Sequence, residues 1–127
     1  MPNKVSEIMR LDVVTVAPSD KIKKAIDVMV AKNVGSVVVV EDDKVVGILT
    51  ERDILKKIKD LDIDKSLVSE FMSSPVLTVM PDTFITEALA LMQTRNIRRL
   101  PVMKGGRLMG MVTEIDILYW FFKVLRG

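Results

Sequence analysis

Gly110-Met111-Val112-Thr113-Glu114-Ile115-Asp116 restates, 63 residues later, the phrase Gly47-Ile48-Leu49-Thr50-Glu51-Arg52-Asp53. Each phrase closes an apolar run, Val45 to Leu49 or Leu108 to Val112, and turns into a helix with Thr at the bend and Asp three residues on. Such turns aim backbone N–H groups outward, where they attract an anion. Shifting the whole chain by the same interval superposes Val5-Ser6-Glu7 on Val68-Ser69-Glu70 and Thr15-Val16-Ala17-Pro18 on Thr78-Val79-Met80-Pro81. No gap is needed from Val5 to Phe121; about a third of the aligned positions are identical, and about a quarter more exchange one apolar residue for another. Fixed self-similarity of this kind marks a tandem duplication. The expected domains are therefore residues 1–62 and 63–127.

Each copy reads as a short helical turn, a strand, a helix, two strands and a second helix. Val13 to Val16 is a β-branched run stopped by Pro18, which cannot sit in a central strand. The helix that follows is expected to take Ser19 as its cap, with Ile22, Ala25, Ile26, Met29 and Val30 along one face. Val37 to Val40 is apolar throughout, as in a strand buried on both sides. The turn Glu41-Asp42-Asp43-Lys44 returns the chain along Val45 to Leu49. The second copy repeats the plan with Asp82 as cap, a helix face of Ile85, Ala88, Leu89 and Met92, and Gly105-Gly106 turning Leu100–Met103 into Arg107–Val112. Lys59 to Lys65, rich in Asp and Lys, reads as the linker. Neither half carries enough apolar surface to close a core alone, so the halves are expected to pack on one another about a pseudo-twofold axis, with two equivalent clefts between them.

The last helix departs from its counterpart. Lys56-Lys57-Ile58-Lys59 of the first copy is replaced by Tyr119-Trp120-Phe121-Phe122, followed by Val124 and Leu125. A helix apolar on nearly every side needs cover all round, which a monomer supplies on one side only. The remainder reads as a subunit interface.

Composition removes most chemistry. The 127 residues contain no Cys and no His, so thiolate nucleophiles, disulfides, the usual general base and the commonest metal ligands are absent. With 19 basic and 17 acidic residues and a net charge of +2, the chain lacks the strong excess of a dedicated nucleic-acid surface. No apolar run approaches the roughly 20 residues of a membrane span, and the N-terminus has no apolar signal core; a cytoplasmic location is expected.

The two Thr-x-x-Asp units have a plain structural reading, the capping box in which Thr and an acid satisfy each other's backbone N–H groups. Their duplication at matching strand ends, and the choice of Asp over Glu, add a chemical one. A short carboxylate facing a cleft accepts two hydrogen bonds from a vicinal diol such as a ribose, beside amides that attract phosphate.

The 63-residue tandem, the Thr-Val-x-Pro openings, the Arg98-Arg99-Leu100-Pro101-Val102 strand and the paired Gly-x-x-Thr-x-x-Asp endings together resemble a pair of CBS domains, the cystathionine-β-synthase repeat, forming one Bateman module. The resemblance covers essentially the whole chain. It implies an α/β fold of two β-α-β-β-α repeats, dimerisation of such modules into a disc, and a regulatory, non-catalytic role in which AMP, ADP, ATP or S-adenosylmethionine binds between the repeats. Carried over residue by residue, one site has Asp116 on the ribose hydroxyls, Thr113 on ribose or phosphate and Met111 against adenine, completed by Met9, Leu11, Val34 and Gly35. The other has Asp53, Thr50 and Ile48 in those roles, with Met72, Ser74, Ile97, and Arg98 at the level of the phosphates. Arg52 corresponds to Ile115, and Arg98 and Arg99 to Gly35 and Ser36. The Asp53 site is thus the more basic and is expected to favour phosphorylated adenosines.

The resemblance implies no required cofactor, no metal, and a separate effector protein as the reader of the signal. Two other functions compete. One is a ligand-free oligomerisation or interaction scaffold working through Trp120-Phe121-Phe122. The weaker is nucleic-acid binding through Arg95, Arg98, Arg99, Lys104 and Arg107, against which stand the charge balance and the scarcity of aromatics for base stacking.

Overall fold

Five apolar strand runs and four helices of the expected kinds appear at the places their periodicity marks. The computed structural model describes residues 3–127; Met1 and Pro2, which open the first expected repeat, lie outside the described residues. In chain order the elements are β1 (Thr15–Val16), α1 (Ile22–Lys32), β2 (Ser36–Glu41), β3 (Lys44–Thr50), α2 (Glu51–Lys56), α3 (Val68–Phe71), α4 (Ile85–Arg95), β4 (Arg99–Lys104), β5 (Arg107–Thr113) and α5 (Glu114–Arg126), with single 3₁₀ turns at Val5–Glu7 and Ile58–Asp60. The class is α/β. No helix among the described residues is long and apolar enough to cross a membrane.

The chain forms two compact units, Val13–Val76 and residues 3–12 with 77–127. Each unit therefore combines the body of one sequence repeat with the leading segment of the other. In the Val13–Val76 unit, β1 runs parallel to β2 and β2 antiparallel to β3. Its core packs Val16, Ile22, Ala25, Met29, Val37, Val39, Leu49 and Ile54 against Val68 and Phe71 from the segment that opens the second repeat. In the other unit β4 pairs antiparallel with β5, and Val79, Ile85, Ala88, Met92, Leu100, Val102, Val112 and Ile117 close around Val5 from the segment that opens the first. The expectation that a half cannot close its own core takes this physical form.

Backbone hydrogen bonds explain how the leading segments are held. Val5 N–H donates to the Thr83 carbonyl at 2.9 Å and Val68 N–H to the Asp20 carbonyl at 2.9 Å. In return the first N–H groups of the long helices are taken up, Ile22 by the Ser66 carbonyl and Ile85 by the Asn3 carbonyl, both at 2.8 Å. The helices thus start later than the caps expected at Ser19 and Asp82. Their N-cap positions are Lys21 and Phe84, because a backbone carbonyl from the leading segment already satisfies the donor that a cap would serve.

The second copy also loses its first strand. Val38 N–H donates to the Val14 carbonyl at 3.0 Å, and its counterpart is Pro101, which has no N–H. The run at 76–79 is left with one parallel bridge, Val79 to Val102. Both hairpin turns hold two left-handed residues, Asp42 and Asp43 (φ 51° and 63°) and Gly105 and Gly106 (φ 57° and 78°), the backbone that a two-residue hairpin requires.

Candidate functional site

The two Asp turns are built alike. In the Val13–Val76 unit, Thr50 caps α2: Asp53 N–H donates to Thr50 Oγ1 at 3.1 Å, and Thr50 N–H and Oγ1 both donate to Asp53 Oδ2 at 2.9 Å. In the other unit Asp116 N–H donates to Thr113 Oγ1 at 3.2 Å and Thr113 N–H to Asp116 Oδ2 at 3.1 Å. The capping box is therefore real in both copies. It engages one carboxylate oxygen, Oδ2, and leaves Oδ1 to be taken by something else.

What takes it differs between the copies. Leading segments cross the ends of β3 and β5 as isolated antiparallel bridges, Ser73 opposite Ile48 and Arg10 opposite Met111. Both pairs exchange two backbone hydrogen bonds, Ser73 N–H to Ile48 O at 2.8 Å with the return at 3.1 Å, and Arg10 N–H to Met111 O at 2.8 Å with the return at 2.9 Å. That register carries the Ser73 and Arg10 side chains to the Asp turns. Ser73 Oγ donates to Asp53 Oδ1 at 2.7 Å. Arg10 Nε donates to Asp116 Oδ1 and Oδ2 at 3.1 and 3.2 Å, and its Nη2 to Oδ1 at 3.0 Å. This pairing, by hydrogen bond and then by charge, raises the Arg10 guanidinium above its ordinary value.

Each unit gathers part of the expected site. Ile48, Thr50, Asp53, Met72 and Ser74 lie together in the Val13–Val76 unit, where Met72 packs its thioether on Gly47. Val34 and Gly35 belong to the same unit, and the Gly35 carbonyl accepts the Glu51 N–H at 3.1 Å. Met9, Leu11, Met111, Thr113 and Asp116 lie in the other unit with Ile97, Arg98 and Arg99; there the Arg98 carbonyl accepts the Glu114 N–H at 2.8 Å, and Arg99 pairs with Thr113 in the β4–β5 ladder. Arg52 sits exposed on the first turn of α2, one residue from Asp53. The sequence reading missed Ser73 and Arg10, naming instead their neighbours Met72, Ser74, Met9 and Leu11. Their equivalence at 63 residues' spacing was visible; the bridge that turns their side chains onto the carboxylates was not.

Each unit also carries a groove on its helical face. One, of about 540 Å³, is lined by Ile26, Val30, Ile54 and Leu55 of α1 and α2 among others. The second, of about 610 Å³, lies between α4 and α5 and includes Leu89, Leu118, Trp120 and Phe121. Neither Asp53 nor Asp116 lines them, but expected site residues do: Val34 and Gly35 in the first, Arg98, Arg99 and Thr113 in the second. No group of three or more acidic residues placed to hold a metal ion occurs among the described residues.

The family model described as "CBS domain" matches residues 5–60 and 68–123. The chain is 40% identical over 118 residues to an uncharacterized protein of Methanopyrus kandleri, covering 90% of this chain and 60% of that one. Among solved structures it resembles the CBS domain pair of protein MJ0100 in complex with 5′-methylthioadenosine and S-adenosyl-L-methionine, at 27% identity and a TM-score of 0.87 over 97% of this chain and 99% of that one. It also resembles CBSX2 in complex with AMP, at 25% identity and a TM-score of 0.84 over 98% and 100% of the two chains.

Proposed function

The chain belongs to the CBS domain family, and from that membership we propose that it is a non-catalytic regulatory module whose Asp turns, Asp53 foremost, recognise the ribose of an adenosyl compound. AMP, ADP, ATP and S-adenosylmethionine are the candidate ligands. The observation that carries the reading is the division of labour at Asp53: Oδ2 is fixed by the capping box, while Oδ1 meets only the hydroxyl of exposed Ser73. A ribose diol displaces or shares a neutral hydroxyl readily and gains charge-assisted bonds to a carboxylate already held in place. Ile48 and Met72 then offer apolar surface to adenine, and Arg52 stands within the same turn for phosphate. Two structural relatives, one with S-adenosyl-L-methionine and 5′-methylthioadenosine and one with AMP, support the ligand class. Thermal denaturation with each compound tests it. A ligand that binds the native state alone adds about 2.7 kcal/mol at 100 times its dissociation constant, which raises the midpoint by several degrees in a domain of this size. The absence of any shift with all four would contradict the reading.

A second role rests on α5. Leu118, Tyr119, Phe121, Phe122 and Leu125 are all more than half exposed, a concentration of large apolar side chains that marks a contact surface. We assign it to a homodimer, through which ligand occupancy reaches a separate effector protein as a shift between conformations. Sedimentation equilibrium showing a monomer throughout the micromolar range would remove this assignment.

A further inference from the structure

The geometry points to Arg10 as the specificity determinant of the Asp116 turn: it occupies the diol-binding carboxylate and closes that turn to uncharged ribosides, leaving Asp53 as the open one. The inference rests on the reading of the Asp turns given above and adds a chain-specific asymmetry to it. Arg10 and Ser73 are equivalent residues, each paired through its backbone with the strand residue facing the expected adenine position. One carries a hydroxyl and the other a guanidinium.

At Asp116 the carboxylate has no oxygen left over. Oδ2 accepts from Thr113 N–H and Arg10 Nε, and Oδ1 from Arg10 Nε and Nη2, at 3.0 to 3.2 Å. A diol entering this turn must break a forked contact between two full charges and replace it with two hydroxyl donors that carry no charge of their own. It must also leave the guanidinium without its partner. The Asp116 side chain is 12% exposed, so its charge depends on near neighbours, whereas Arg10 is 53% exposed and free to swing away. At Asp53 the same diol meets one neutral donor. The closed turn is thus a consequence of one residue on the leading segment and not of the turn itself, which is the same in both copies.

Calorimetry with adenosine, a neutral riboside, separates the turns when Asp53→Ala is used to silence the open one. Adding Arg10→Ser, which copies Ser73, is expected to raise the adenosine affinity of the Asp53→Ala protein at least tenfold. Arg10→Met, which keeps the stem length without the charge, is expected to do the same and guards against a serine variant that fails to fold. A third readout needs no change at Arg10. Because the Arg10 side of the pair is half exposed, added NaCl weakens it, so adenosine binding by Asp53→Ala should strengthen with salt although the ligand carries no charge. If the wild type binds adenosine or AMP while neither Arg10 variant nor salt improves binding in the Asp53→Ala background, the gate is wrong and the site reading stands. If the wild type binds neither compound, the site reading fails and the gate falls with it.

Discussion

Gly47 and Gly110 sit midway along β3 and β5, each under a methionine from a leading segment, and their environments are not equal. A Cβ on Gly47 would come within 2.5 Å of Met72 Sδ, the movable part of a flexible side chain. A Cβ on Gly110 would meet the Arg10 carbonyl oxygen at 2.6 Å as well as Met9 Sδ at 2.9 Å, and a backbone oxygen fixed by the Met111 N–H at 2.9 Å cannot readily step aside. Both substitutions to Ala overpack, at a cost of about 1–3 kcal/mol. Gly110→Ala should be the more destabilising in urea denaturation, and equal losses would contradict the geometry. The glycines were legible in the sequence as marks of the duplication, and the Thr-Asp pairs as candidate sites. Ser73 and Arg10 were not. Arg10 lies 106 residues from Asp116, and only the pairing of the leading segment with β5 reveals that the two meet.

The loop ahead of α1 shows what a side chain does when the helix cap is supplied from elsewhere. Asp20 accepts the Ala17 N–H at 2.8 Å and pairs with Lys24 at 3.3 Å. The backbone bond first, then Lys24, holds its carboxyl below the ordinary carboxylate value despite some burial. Since the folded pKa is the lower one, Asp20 contributes its full stabilisation above the unfolded value of about 4 and loses it as the pH falls through the depressed one. Asp20→Asn should therefore be less stable than the wild type near neutrality, with the gap narrowing in acid. A gap independent of pH, measured by urea unfolding at both ends of the range, would refute the role. Strands and helices of this kind were readable because apolar runs and 3.6-residue spacing are local signals. The caps and the missing strand at 76–79 were not, since one depends on carbonyls from a distant segment and the other on Pro101 facing the place where Leu77 needs a donor.

Across the whole molecule, the sequence repeat and the folded unit are offset. Val68 and Phe71 complete the core of Val13–Val76, and Val5 completes the core built on residues 77–127. A fragment of residues 13–76 retains every residue of its core and should unfold cooperatively. A fragment of residues 1–62, the repeat as written in the sequence, lacks Val68 and Phe71 and should not; each large apolar group lost from such a core costs about 2–5 kcal/mol, comparable with the entire stability of a small domain. Cooperative melting of residues 1–62 by calorimetry would show that the leading segment is dispensable. The duplication was plain in the sequence, but the exchange of leading segments was not, because matched repeats align equally well whichever body their first residues join.

Asp53 is the carboxylate proposed to take the ribose. Titration calorimetry of AMP into the wild type, Asp53→Ala and Asp116→Ala tests this most directly. Asp53→Ala should abolish most of the binding and Asp116→Ala should leave most of it. A larger loss from Asp116→Ala than from Asp53→Ala would contradict it.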